Sequence, residues 1–172
     1  MSIVHTHVHS LRILGGVEAL AARVLTVEGV AGFGFTLNLD AAVARDKAAW
    51  DALARSRNVP LYALLGGKRR DVVTIERDDS QLPRRIDPFA LGSVETVQAV
   101  VAAAPDESLA LLAPNAHPWE LSWCAALAAA LPGGDARILV GAGPPASAIA
   151  VSGHPGVGVD WSLEPAFGAI RW

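Results

Sequence analysis

The chain holds one cysteine, Cys124, so no internal disulfide can form, and a lone thiol fits a reducing compartment. Charge is scarce too: charged residues make up 18% of the sequence and the net charge is −3. That balance gives no basic footprint for nucleic acid. The cluster Lys68, Arg69, Arg70 is short and reads as a solvated loop. No run of about 18 apolar residues occurs, so no membrane partner is expected. The Met1 end lacks the basic and apolar regions of a signal peptide, and the chain is read as cytoplasmic. Lysine is nearly missing, with Lys47 and Lys68 the only two. No internal repeat is evident.

What is present is apolar and small. Hydrophobic residues make up 52% of the 172, and much of that is alanine. The length suits one domain with a core, or one domain plus an appendage. A chain this apolar is expected to bury part of its surface against a partner, which points to oligomerisation.

Residues 3–14 alternate and read as a strand. Residues 21–38 read as a hairpin turning at Glu28-Gly29. Gly32 and Gly34 fall within its second strand, where glycine marks a bulge or a close backbone approach. Asp40 is an N-cap candidate for a helix that Asn58 and Pro60 end. Val43, Trp50 and Leu53, with Ala42, Ala49 and Ala54, lie near one face of it. An apolar tail, residues 60–65, follows and is broken by Gly66-Gly67. Residues 71–76 read as a strand. Residues 78–87 form a polar loop with Pro83. Ser93 caps a helix running to about residue 104, a short strand covers 109–113, an alanine-rich helix covers 117–131, and another strand covers 136–140. Helix, strand, helix, strand after residue 92 suggests parallel α/β structure. The expected organisation is a unit at 1–77, a linker loop at 78–91 and a partial α/β unit at 92–172. The fold class is α+β, an antiparallel meander plus helices followed by an incomplete barrel.

Three segments carry a resemblance. The hairpin Leu25 to Phe35, LTVEGVAGFGF, places a Gly-aromatic-Gly run after a turn. The helix with Ala49-Trp50-Asp51 leads into the tail Val59-Pro60-Leu61-Tyr62-Ala63-Leu64-Leu65-Gly66-Gly67. The late stretch Pro155-Gly156-Val157-Gly158-Val159-Asp160-Trp161 completes the set. Together they resemble the capping-domain strands, the helix and tail that lead into the barrel, and the returning C-terminal segment of enolase-superfamily proteins of the mandelate racemase/muconate lactonizing type. The resemblance implies a protein that abstracts a proton next to a carboxylate. Such a protein uses a metal held by three acidic residues on successive strand ends, with a Lys or His base.

The sequence departs from that pattern at its centre. A complete (β/α)8 barrel takes about 250 residues, or about 200 at the short end. The stretch from Lys68 to Trp172 holds half a barrel at most. No Lys-x-Lys motif exists. The segment Leu111-Leu112-Ala113-Pro114-Asn115 resembles the strand that presents the first metal carboxylate, but Ala113 stands where the aspartate would be. The resemblance therefore implies a non-catalytic member in a structural or regulatory role, without cofactor, whose partner is itself or a full-length family member. The alternative is a metal-dependent isomerase or dehydratase of carboxylate substrates, using magnesium at a site that another chain completes. A third reading is a small-ligand binding module. No residue is assigned as catalytic, cofactor-binding or metal-binding.

Several residues invite sharper readings. His5, His7 and His9 alternate in HTHVH and would share one face of a strand with spacing suited to a metal; the plain alternative is a polar edge strand. His117 and Glu120 at a helix start, with His154 in a late loop, could form an acid–base set, although such residues more often cap helices and line loops. Cys124 is read as buried and inert. Residues 141–147, GAGPPAS, lack the Lys and spacing of a phosphate loop and read as structural. The acids Asp106, Glu107 and Glu120 lack strand-end spacing for one ion. Trp50, Trp119, Trp123, Trp161 and Trp172 are read as core or interface anchors.

Overall fold

A computed structural model describes residues 1–13, 15–78, 85–103, 108–132, 135–141 and 147–172. Three strands, β1 (Ile3–Arg12), β2 (Glu18–Thr26) and β3 (Ala31–Thr36), form an antiparallel sheet in that order. The β2–β3 turn falls at Glu28-Gly29 as predicted. Gly29 takes φ of 80°, a left-handed value that glycine adopts without strain, and its N–H reaches the Thr26 carbonyl at 3.0 Å.

Helix α1 (Ala41–Ser56) begins at Asp40, whose carboxylate accepts from the Ala42 N–H at 2.8 Å. Its packing explains the two strand glycines. A Cβ at Gly32 would lie 2.3 Å from the Ala48 carbonyl oxygen, and one at Gly34 would lie 2.3 Å from the Ala48 nitrogen. The close approach read from the sequence is thus strand β3 meeting the backbone of α1 along Ala44, Ala48 and Ala52. The buried face of α1 differs from the predicted one. It consists of Val43, Ala44, Lys47, Ala48, Asp51, Ala52 and Ala54, while Trp50 and Leu53 are half-buried and Ala42 is exposed. Amphipathic periodicity favoured the bulky residues, but a strand without side chains at two positions selects the smallest ones.

The remaining strands are β4 (Val72–Arg77), β5 (Arg85–Ile86), β6 (Leu109–Leu112), β7 (Ala136–Val140) and β8 (Ser147–Ala150). They form a mixed sheet ordered β5-β6-β7-β4-β8, parallel except for β8 against β4. Among the described residues β5 and β8 are the outer strands and no barrel closes. The α+β class expected from the sequence is the observed one. Two segments are placed differently from the expected division. β4 stands inside the mixed sheet rather than with the N-terminal unit, and β5 forms within the stretch read as a linker.

Helices α2 (Leu61–Leu64), α3 (Val94–Ala102), α4 (Pro118–Ala130) and α5 (Pro165–Gly168) complete the chain, with a 3-10 turn at Trp161–Leu163. Ser93 caps α3 as predicted, accepting from the Thr96 N–H at 3.1 Å. Helix α4 is buried on almost every side, from Trp123 through Leu131, because the mixed sheet and α2 enclose it. The apolar tail is covered by its own chain: Leu61 is fully buried and Leu65 nearly so, while Tyr62 and Leu64 are half-buried. Large apolar side chains are exposed elsewhere, at Met1, Ile3, Val4, Val27, Leu39, Val72 and Leu163. No described helix is long and apolar enough to cross a membrane.

Candidate functional site

Ligands of open α/β sheets sit beyond the carboxyl ends of the strands. Here those ends are Asp87 after β5, Ala113 to Asn115 after β6, Gly141 after β7 and Asp78 after β4. The first two face Leu37 and Asn38, which leave the end of β3. Between them lies a cavity of about 130 Å³ lined by Leu37, Asn38, Asp87, Phe89, Pro114, Asn115 and Glu120. Small-molecule pockets usually measure about 300–1,000 Å³, so this one admits only a few atoms.

The polar groups around it are bonded to the chain itself. Asp87 Oδ1 accepts from the Phe89 and Ala90 N–H groups at 2.8 and 3.1 Å. Asn38 Nδ2 donates to the Phe89 carbonyl at 2.7 Å. Glu120 closes a capping box at the start of α4. It accepts from the His117 N–H at 3.1 Å, and from the Asn115 N–H and Nδ2 at 3.2 Å each. Burial raises the Glu120 carboxyl above the usual range.

Lys47 reaches this region from α1. Its Nζ donates to the Pro88 carbonyl at 2.9 Å and lies 5.0 Å from the Phe89 ring centroid and 5.6 Å from that of Trp123. Burial lowers its pKa to about 8. Next to it in the core, Cys124 is fully buried and its thiol is pushed well above the usual range by the same cause. That environment makes an inert thiol, as the sequence reading expects.

His117 and Glu120 do come together, as the capping pair. His117 Nδ1 accepts from the Trp119 N–H at 3.2 Å, which leaves the proton on Nε2 to bond Glu164 Oε1. Both His117 and Glu164 are buried. Sequence reasoning missed Glu164, since nothing local marks a glutamate before Pro165 as a buried partner. His154 does not join this set. It is exposed and lines a different, open cleft of about 400 Å³ with Arg55 and Asp160. His5 and His7 are exposed on β1, and His9 packs edge-on against Trp172 at 5.1 Å between ring centroids. Among the described residues no cluster of three or more His, Cys, Asp or Glu side chains is arranged to hold a metal. Asp106, Glu107 and most of the 141–147 segment lie outside the described residues. Trp119 and Trp123 are fully buried, and Trp50, Trp161 and Trp172 are half-buried, in line with anchors.

The three segments that carried the resemblance meet at one carboxylate. Asp51 Oδ2 accepts from the Phe33 N–H at 3.0 Å and from Arg55 Nε at 2.7 Å, and Oδ1 accepts from the Val157 N–H at 2.9 Å. The return segment also bonds the tail, with Leu61 N–H to the Gly156 carbonyl at 2.8 Å and Gly156 N–H to the Val59 carbonyl at 3.0 Å. The chain matches solved structures of mandelate racemase/muconate lactonizing enzymes in part, at low identity. One such structure is that from Jannaschia sp. CCS1, at 17% identity and a TM-score of 0.40, over 83% of this chain and 54% of that one. A dipeptide epimerase from Methylococcus capsulatus, complexed with Mg ion, matches at 17% identity and a TM-score of 0.39, over 81% and 52%. An isomerase from Streptomyces coelicolor A3(2) matches at 21% identity and a TM-score of 0.38, over 80% and 51%. The chain spans about half the length of these structures. No protein-family model matches the chain, and no curated protein does.

A magnesium ion held by strand-end carboxylates does not fit these residues. Magnesium demands nearly octahedral oxygen ligands. Among the described residues the successive strand ends offer Asp87, whose Oδ1 caps a turn, then fully buried Ala113, then Gly141, then Asp78, whose Oδ1 pairs with Arg85 at 2.8 Å.

Proposed function

We propose that this chain is a non-catalytic relative of the enolase-superfamily pattern that its three segments resemble, serving as a structural or regulatory subunit beside itself or a full-length member. One observation carries the reading. The groups that could serve as acid, base or ligand at the strand ends are bonded within the chain: Asp87, Glu120 and Lys47 to its backbone, and Asp78 to Arg85. Lys68 is the other lysine, and it pairs with Asp71 at 2.6 Å in the loop before β4. What remains intact is the packing of sheet, helix, tail and return segment, which is a scaffold. The exposed Met1, Ile3, Val4 and Val27 supply apolar surface at one end of the three-stranded sheet, and this supports association.

The test is magnesium calorimetry together with deuterium exchange into a panel of α-hydroxy and sugar acids. The isolated chain is expected to bind no catalytic magnesium and to exchange no α-proton. Metal-dependent exchange by the purified chain alone would falsify the reading. Exchange that arises only on adding a full-length relative would instead favour the site completed by another chain. Sedimentation is expected to give a dimer or larger, and a monomer at high micromolar concentration would remove the subunit role for self-association.

A further inference from the structure

We propose that His5 and His7 form an exposed two-imidazole chelate for a late first-row divalent ion such as zinc or nickel. The pair stands on β1, one of the two outer strands of the three-stranded sheet, where residues two apart share a face. Their ring centroids lie 6.4 Å apart with planes inclined by 33°, and both residues are exposed. Zinc–imidazole nitrogen bonds are about 2.0–2.1 Å long, so rotation of two exposed side chains brings a nitrogen from each ring to a common ion.

His9 shares the alternation but not the role. Its ring packs edge-on against Trp172, which holds it away from its neighbours. The site therefore has two protein ligands, with water in the remaining positions, and it falls outside any cluster of three. Arg23 of β2 stands directly opposite His7 in the sheet, and opposed residues share a face. Its charge weakens any cation held there by simple electrostatics. The two imidazole donors themselves select ions with a strong preference for nitrogen and reject hard cations that prefer oxygen, magnesium among them.

Zinc or nickel titrated by calorimetry into a chain free of any polyhistidine extension tests the assignment. Saturable binding is expected, and magnesium should not displace the ion. His5→Ala and His7→Ala should each weaken binding by more than about tenfold, since even outer-shell changes around a metal have effects of that size. His9→Ala should leave it unchanged. Thermal melts of His5→Ala and His7→Ala should match the parent, because those side chains are exposed. Absence of saturable binding, or binding that survives both His5→Ala and His7→Ala, overturns the proposal. A loss in His9→Ala equal to that in His7→Ala overturns the two-ligand assignment.

Discussion

Lys47 is the most consequential single residue in the core. Its ammonium is removed from water, with one carbonyl and two aromatic faces in exchange, and its pKa falls from 10.5 to about 8. Below about pH 8 both folded and unfolded chains carry the proton, and the folded state bears the full penalty of the buried charge. Between about 8 and 10.5 the unfolded chain keeps the proton while the folded chain releases it, so stability rises with pH. At about 1.4 kcal/mol per pKa unit, the gain across that window is about 3 kcal/mol. Cys124 acts with the opposite sign, because its raised folded pKa means the unfolded chain loses the thiol proton first. The clean measurement is therefore the difference between parent and Lys47→Met in urea unfolding at each pH. That difference should shift in the parent's favour by about 3 kcal/mol as pH rises through the window. A pH-independent difference would show that the ammonium is not desolvated. Asp51 gives a second prediction at this scale. Asp51→Ala leaves two backbone N–H groups and Arg55 without their acceptor. Each orphaned buried donor costs about 1–3 kcal/mol, so the urea midpoint should fall by an amount equivalent to about 3 kcal/mol or more. Arg55 itself is one-third exposed and adds little.

At the scale of elements, local chemistry was legible and tertiary contact was not. The caps Asp40 and Ser93 and the Glu28-Gly29 turn are short-range devices, and they stand where the sequence placed them. The buried face of α1 depends on what lies opposite, and two glycines on β3 reversed the preference from large side chains to alanines. The partner of His117 lies 47 residues away, beyond any local signal. The apolar tail was legible as a segment, but its cover was not, because α4 comes from the far half of the sequence. The glycine contact yields a direct test. Gly34→Ala would place a Cβ 2.3 Å from the Ala48 nitrogen and 2.4 Å from the Ala44 carbonyl, and backbone cannot rotate aside. A loss of about 1–3 kcal/mol or more is expected, as for overpacked cores. Gly153→Ala meets nothing within 4 Å and should be nearly silent in the same thermal melts. Equal melts for the two variants would mean that α1 and β3 do not approach this closely.

For the molecule as a whole, one substitution probes whether the strand ends can hold a metal ion. Ala113 sits at the end of β6, fully buried, with its N–H bonded to the Leu139 carbonyl at 2.8 Å. The neighbouring parallel strands end in Asp87 and Gly141, and among the described residues the sheet stays open between β5 and β8. An aspartate at 113 would project a carboxylate where no described cation stands ready to receive it. Lys47 is turned onto Pro88, and Asn115 already serves Glu120. An unpaired buried charge destabilises by about 3–5 kcal/mol, and the group avoids part of that by taking up a proton. Ala113→Asp is therefore expected to lower the melting temperature, most strongly above the carboxylate range, and to leave magnesium without effect on it. A ligand that binds only the folded state raises stability in proportion to its affinity. A magnesium-dependent rise in the melting temperature of the Ala113→Asp chain, absent from the parent, would show that the remaining strand ends can complete a metal site after all. It would move the shared-site enzyme ahead of the scaffold.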